Sequence, residues 1–314
     1  MAKDQMGGTR MYGRLCRWGG AVALTALLLA GCGGGSTATV AAPDAQTPQA
    51  APQVTARSTP MGVLVPLYGY PLVSSGSGAS YTTEDNPAWT QVAAGAALVP
   101  TVAIINPGNG PVACTSPLSA TLAAFEQGIG KLRAAGVTVL GYVHTLYGNR
   151  DPALVAVDVQ TYAQCYDVDG VFFDEVSTQA SKASYYAQAA ATVRADIKPS
   201  SGKAALVAIN PGTYPDSTLA DSADITVMHE SADLNLAAVP TSLSSYPTTR
   251  FAYLALGLSE LPQLQTSMLS SLYQRGIGYV DLTDQGAGND PWATLSTQYS
   301  AMIQTLHQLN QGTN

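Results

Sequence analysis

From residue 62 onward the chain repeats one pattern eight times: a short, almost wholly apolar run, a closing polar or aromatic residue, then a helix-length or loop segment. The runs fall at residues 63–68, 101–105, 137–142, 171–174, 204–209, 225–228, 251–254 and 279–282. Runs this brief and this continuously apolar suit strands buried on both faces, as in a parallel sheet covered by helices. Helix-like segments lie between them at 118–135, 155–166, 185–197, 261–275 and 292–309, whereas the crossover 231–250 contains Pro240 and Pro247 and is poorly helical. Eight strands in about 250 residues match a (β/α)8 barrel, so the expected fold class is α/β with a single TIM barrel. A doubly wound open sheet is the rival. It is disfavoured because no G-x-G-x-x-G turn follows the first run, and the glycine-rich stretch 106–110 enters no obvious helix.

In such a barrel the reactive groups sit at the C-terminal ends of the strands. Polar residues collect there: Tyr68 and Tyr70 after the first run, Asn106 after the second, Tyr142 and His144 at the third, Asp174 and Glu175 at the fourth, Asn210 after the fifth, His229 and Glu230 after the sixth, and Asp281 to Asp284 at the eighth. Two carboxylates directly after a buried strand are costly to desolvate unless they meet partners, water or a ligand. Glu230 arrives at the same rim from another strand. Carboxylates facing one cavity are what glycosidic cleavage requires, one to protonate the leaving oxygen and one to attack the sugar or activate water. The competing reading for Asp174 and Glu175 is a helix N-cap with an acidic first turn. Asp281 and Asp284 have a similar alternative as loop caps, and His144 and His229 as packing residues. Tyr68, Tyr70, Tyr142, Tyr147 and Tyr214 lie at or just after strand ends, where rings with apolar faces and a polar tip suit sugar stacking; covering the barrel mouth would use them equally well.

The first residues belong to a different argument. Arg10, Arg14 and Arg17 precede an apolar stretch, 21–30, too short for a comfortable membrane span, and Leu29-Ala30-Gly31-Cys32 resembles the lipobox of bacterial lipoproteins. Residues 1–31 are therefore expected to be a lipoprotein signal peptide, with Cys32 the lipid attachment site. Residues 32–59, dominated by Gly, Ser, Thr, Ala, Pro and Gln, are expected to be a disordered linker, and 60–314 the barrel domain. The chain would be exported and anchored in the envelope through this lipid only, with resemblance favouring the outer membrane or cell surface. Residues 1–31 carry a net +3, so the remainder of a chain at −7 stands at −10. That acidity argues against nucleic acid and suits a neutral or cationic polymer. Cys114 and Cys165 are left to pair or to stay as separate thiols. His144, His229 and His307 are scattered and no C-x-x-C occurs, so neither a metal nor a cofactor is expected.

Several motifs together resemble spherulation-specific family 4. They are Gly62-Val63-Leu64-Val65-Pro66-Leu67-Tyr68, Ile105-Asn106-Pro107-Gly108-Asn109-Gly110, Gly141-Tyr142-Val143-His144-Thr145 with Tyr147-Gly148-Asn149-Arg150, Gly170-Val171-Phe172-Phe173-Asp174-Glu175-Val176, and Asn210-Pro211-Gly212. The resemblance spans nearly all of residues 60–310. It implies an endo-acting glycoside hydrolase on galactosamine-containing exopolysaccharide, with α-1,4-linked N-acetylgalactosamine (GalNAc) the favoured unit. Carried over by motif, the catalytic residues are Asp174, Glu175 and Glu230; by analogy with related barrels Asp174 is the nucleophile, Glu230 the acid/base, and Glu175 orients or holds an amino sugar. Tyr68, Tyr70, Asn106, Tyr142, His144, Tyr147, Arg150, Asn210 and Asp281 are the expected substrate contacts, in a protein expected to act as a monomer. The alternative is a non-catalytic carbohydrate-binding or cell-surface structural protein on the same barrel. A complete carboxylate set favours the enzyme, since binding needs aromatics and amides more than acids.

Overall fold

The structure is a computed structural model that describes residues 56–114, 119–286 and 290–313. The expected signal peptide, Cys32 and most of the linker lie outside the described residues. Eight parallel strands close into a barrel: β1 (Gly62–Leu67), β4 (Thr101–Ile105), β5 (Thr138–His144), β6 (Gly170–Asp174), β7 (Leu206–Ile209), β8 (Ile225–Ser231), β9 (Phe251–Ala255) and β10 (Tyr279–Leu282). All eight expected strands are present, and β10 pairs with β1 to close the ring. The short hairpin β2 (Leu72–Ser75) and β3 (Thr82–Asp85) branches off after β1 and was not anticipated, because its residues are polar and largely exposed.

Alternation along each strand divides the core in two. Leu64, Val102, Ile104, Leu140, Phe172, Ala208, Val227, Ala252 and Leu254 fill the barrel interior, while Val63, Val65, Val139, Val171, Val207 and Val280 pack outward against helices. Both faces being apolar explains why the strands read as unbroken hydrophobic runs. Gly170 and Gly141 mark close approaches: a Cβ on the first would lie 1.9 Å from the Leu206 carbonyl oxygen, and on the second 2.6 Å from the Tyr162 ring.

The outer layer comprises α1 (Pro87–Gly95), α2 (Ala120–Ala134), α3 (Pro152–Cys165), α4 (Ala183–Asp196), the single turn α5 (Ser217–Ala220), α6 (Leu261–Gln274) and α7 (Tyr299–Gln311). Asn86, Ser119 and Asp151 cap α1, α2 and α3 by accepting backbone N–H bonds, with Pro87 and Pro152 in the first turns. The crossover between β8 and β9 holds only 3-10 turns, at Thr241–Leu243 and Thr248–Arg250, as its prolines led us to expect. The last helix starts at Tyr299 instead of residue 292, which places Trp292 in the loop after β10. Cys114 and Cys165 form a disulfide, their Cα atoms 6.1 Å apart, joining the β4–α2 loop to the end of α3.

Arg57 falls inside the segment expected as linker but is held on the barrel. Its backbone N–H donates to Tyr273 Oη at 2.8 Å and its guanidinium to the carbonyls of Tyr273 and Ile277, at 3.0 and 3.1 Å, just past α6. A guanidinium at a helix C-terminus meets carbonyls that have no partner within the helix, and it lies 4.4 Å over the Tyr273 ring. The packed chain therefore begins earlier than residue 60.

Candidate active site

Asp174 ends β6 two residues after the interior Phe172, so its side chain faces into the barrel, with His144 of β5 as its register partner. Two donors hold its carboxylate: Tyr142 Oη donates to Oδ2 at 2.9 Å and Asn210 Nδ2 to Oδ1 at 2.8 Å. The same Asn210 nitrogen donates to Glu230 Oε2. Asn210 Oδ1 accepts from Gly212 N–H at 2.9 Å, which sets the amide with its nitrogen toward the two acids. One amide thus bridges carboxylates carried by β6 and β8, the strands on either side of its own.

Glu230 reaches the interior through a bulge. Strict alternation from the interior Val227 would turn His229 inward and Glu230 outward. The register instead slips between Val227 and His229, so that His229 lies opposite the outward-facing Tyr253 and Glu230 opposite the interior Leu254. His229 stacks on Tyr253 with ring centroids 4.3 Å apart, bearing out its reading as a packing residue. Burial raises the Glu230 carboxyl above its ordinary range; the Asn210 hydrogen bond opposes this, the Asp174 charge adds to it, and Trp292 opposes it again. Burial also holds the Tyr68 and Tyr142 hydroxyls protonated, reinforced by the Asp174 charge. These rings meet edge to face, centroids 5.5 Å apart.

Glu175, next in sequence, takes a different direction. Its backbone is left-handed at φ 52°, a conformation that costs on the order of 1–3 kcal/mol for a residue other than glycine. Its carboxylate accepts from the Leu146 N–H at 3.2 Å and its carbonyl from the Tyr147 N–H at 2.7 Å. The buried Thr145 hydroxyl lies 2.8 Å from the carbonyl oxygens of both Asp174 and Glu175 and 2.9 Å from Tyr186 Oη. Neither acid caps a helix: α4 begins at Ala183, with Lys182 at the cap position, which removes the N-cap reading.

Of the expected residues, Tyr68, Tyr142, Asp174, Asn210 and Glu230 come together, with His144 beside Asp174. Tyr147 stands on the loop next to Glu175, 61% exposed. Tyr70 turns toward α2, its ring edge-on to Phe125 and its hydroxyl on the Ala120 carbonyl. Asn106 accepts from Gly110 N–H within its own loop, and Asn109 in that loop presents its carbonyl to His144 Nδ1 at 3.2 Å. Arg150 is paired with Asp158 at 2.6 Å and donates to the His144 carbonyl. Asp281 is buried on the interior face opposite Leu254, and burial pushes its carboxyl up to about 7. Asp284 is a loop cap, accepting from Thr297 N–H at 3.0 Å. Tyr214 donates to the Ala237 carbonyl. Two residues were missed. Trp292 lies in the interior cluster beside Glu230, its carbonyl bonded by the Tyr68 N–H, and Asp290 is near enough to Tyr68 to act on its hydroxyl. The signal for both was position, a strand-to-helix loop after the eighth run; for Trp292 the helical reading of 292–309 hid it.

Among the described residues no group of three or more His, Cys, Asp or Glu is placed to hold a metal ion. The arrangement is two carboxylates at close quarters, one with its proton favoured by burial, lined by neutral tyrosines and an indole.

Comparison with known proteins gives a consistent set of likenesses. The family model of spherulation-specific family 4 matches residues 62–306. Spherulin-4 of Physarum polycephalum is 36% identical over 280 residues, which cover 85% of this chain and 76% of that protein. The crystal structure of Aspergillus clavatus Sph3 in complex with GalNAc aligns with a TM-score of 0.61 at 21% identity, over 80% of this chain and 98% of that one. At that identity the structural likeness is one of fold.

Proposed function

Because this chain belongs to spherulation-specific family 4, we propose that it is a glycoside hydrolase that cuts a GalNAc-containing exopolysaccharide within the chain, with retention of configuration. The observation that carries this reading is the single Asn210 nitrogen bonded to both Asp174 and Glu230. Two oxygens sharing one donor lie no more than two hydrogen-bond lengths apart, roughly 5.5–6 Å. Inverting enzymes keep their carboxyls about 6.5–9.5 Å apart to admit a water, whereas retaining enzymes hold them about 5–5.5 Å apart.

Asp174, oriented by Tyr142 and Asn210, attacks the anomeric carbon while the protonated Glu230 gives its proton to the leaving glycosidic oxygen. In the second step Glu230, now a carboxylate, takes a proton from water as that water displaces Asp174 from the sugar. The raised affinity of Glu230 for its proton suits the acid role. Tyr68 and Trp292 flank the acid pair with ring surfaces suited to a sugar. The net charge of −7 favours a polymer bearing some free amines, and the GalNAc bound by Aspergillus clavatus Sph3 supports an amino-sugar substrate. The lipobox-like Leu29-Ala30-Gly31-Cys32 supports the reading of export with a lipid anchor at Cys32, which would suit a matrix polymer met at the cell envelope.

The test is digestion of partially deacetylated α-1,4-linked poly-GalNAc, with released oligosaccharides identified by mass spectrometry. Oligomers from the wild type and none from Glu230→Gln are the expected result. Polymer bound but never cut by the wild type would instead support the non-catalytic binding protein.

A further inference from the structure

The loop after β5 is a tight turn, closed by the Gly148 N–H donating to the Thr145 carbonyl at 3.0 Å, whose two central positions ordinarily take Gly, Asn or Asp. Leu146 and Tyr147 are consecutive residues other than glycine in the left-handed region, at φ 49° and 55°, and Gly148 follows at 75°. Glu175, which bonds both their N–H groups, is left-handed as well. The far side of the arch is held by Lys182, whose Nζ donates to the Gly148 carbonyl at 2.9 Å and to Asn149 Oδ1 at 2.7 Å. Strained backbone persists only where its surroundings over-determine it, and such places concentrate at ligand clamps. The held turn carries exposed apolar surface: Leu146 is 47% and Tyr147 61% exposed.

We propose that Leu146 and Tyr147 form an outer sugar-binding platform, gripping the polymer beyond the Asp174–Glu230 pair, and that Glu175 is the positioning residue that holds it. This rests on the glycoside hydrolase reading and adds to it a subsite and a role for the third acid. A ring with an apolar face and a polar tip suits a pyranose, and ordering in advance the backbone that carries it lowers the entropy lost on binding. Thr145 ties the platform to the reacting centre, since its hydroxyl touches the carbonyls of both Asp174 and Glu175. A polymer seated on the arch is thereby registered against Asp174.

The experiment uses the full chain carrying Glu230→Gln, so that the ligand is not consumed, and measures by calorimetry its affinity for a short and a long α-1,4-linked GalNAc oligomer. Affinity is expected to rise with length. Adding Tyr147→Ala is expected to lower the affinity for the long oligomer about tenfold, with a much smaller effect on the short one. Adding Glu175→Ala should reproduce that loss, whereas Glu175→Gln, which keeps an oxygen acceptor for the Leu146 N–H, should restore most of the affinity. Unchanged affinity for the long oligomer in the Tyr147→Ala protein, or a Glu175→Gln protein as weak as Glu175→Ala, would overturn the proposal. Failure of the underlying sugar reading has a different signature, in which neither oligomer binds even with Tyr147 and Glu175 in place.

Discussion

Asp174 and Glu175 are consecutive acids with separate partners: the first faces the barrel interior on Tyr142 and Asn210, and the second turns to the backbone of Leu146. The left-handed φ of Glu175 makes this divergence possible. Only Asp174 shares a donor with Glu230. Asp174→Asn is therefore expected to reduce turnover of the polymer on the order of 10³-fold or more while preserving the fold. Initial rates together with circular dichroism check this; a variant turning over within tenfold of wild type removes the nucleophile assignment.

In the proposed mechanism Glu230 is expected to set the alkaline limb of the pH profile. As the proposed acid of the first step it must be protonated, and its raised pKa favours that state above the ordinary carboxylate range. The rate kcat/KM is expected to hold below that pKa and to fall as pH rises through it. Asn210→Ala removes the hydrogen bond that favours the charged form, so the limb should move to higher pH as kcat falls. A limb that moves to lower pH in this variant contradicts the assignment.

Asp281 makes stability depend on pH in the direction opposite to a paired carboxylate. Its folded pKa, about 7, lies above the unfolded value, so between about pH 4 and 7 the unfolded chain holds fewer protons and stability falls as pH rises. The full loss is on the order of 4 kcal/mol above pH 7. Asp281→Asn, uncharged throughout, should raise Tm relative to wild type at pH 8 and change it little at pH 4. Thermal unfolding at the two pH values decides it; an equal Tm difference at both would show that Asp281 is not buried as an acid.

The disulfide between Cys114 and Cys165 closes a loop across a sequence separation of 51 residues. Chain entropy assigns such a closure about 4 kcal/mol, and measured values for removed bridges run about 2–5 kcal/mol. The double change Cys114→Ser with Cys165→Ser is expected to lower the urea midpoint accordingly. It should also weaken substrate binding, because the loop it fastens carries the Asn109 carbonyl that meets His144. A midpoint within error of wild type would show that the bridge contributes nothing.

The barrel was legible because apolar runs buried on both faces leave a signal that survives without knowledge of side-chain direction. The strand ends were legible for the same reason, and Tyr68, Tyr142, Asp174, Asn210 and Glu230 were all found there. What alternation could not reveal was the bulge at Met228, which reverses the inward order of His229 and Glu230 and depends on pairing with β9. Trp292 was lost to an over-long helix, since the apolar spacing of α7 continues into a loop whose own contacts are tertiary. Glu175 was grouped with Asp174 by adjacency, and a single backbone angle separates them. The hairpin β2–β3 lacks the core burial that makes the other elements conspicuous.

The shared donor between Asp174 and Glu230 makes a stereochemical claim that one experiment reads directly. Proton NMR of an α-1,4-linked GalNAc oligomer during the first minutes of digestion shows the anomer released before mutarotation. The α anomer formed first is the predicted result, and the β anomer formed first would contradict the retaining pair.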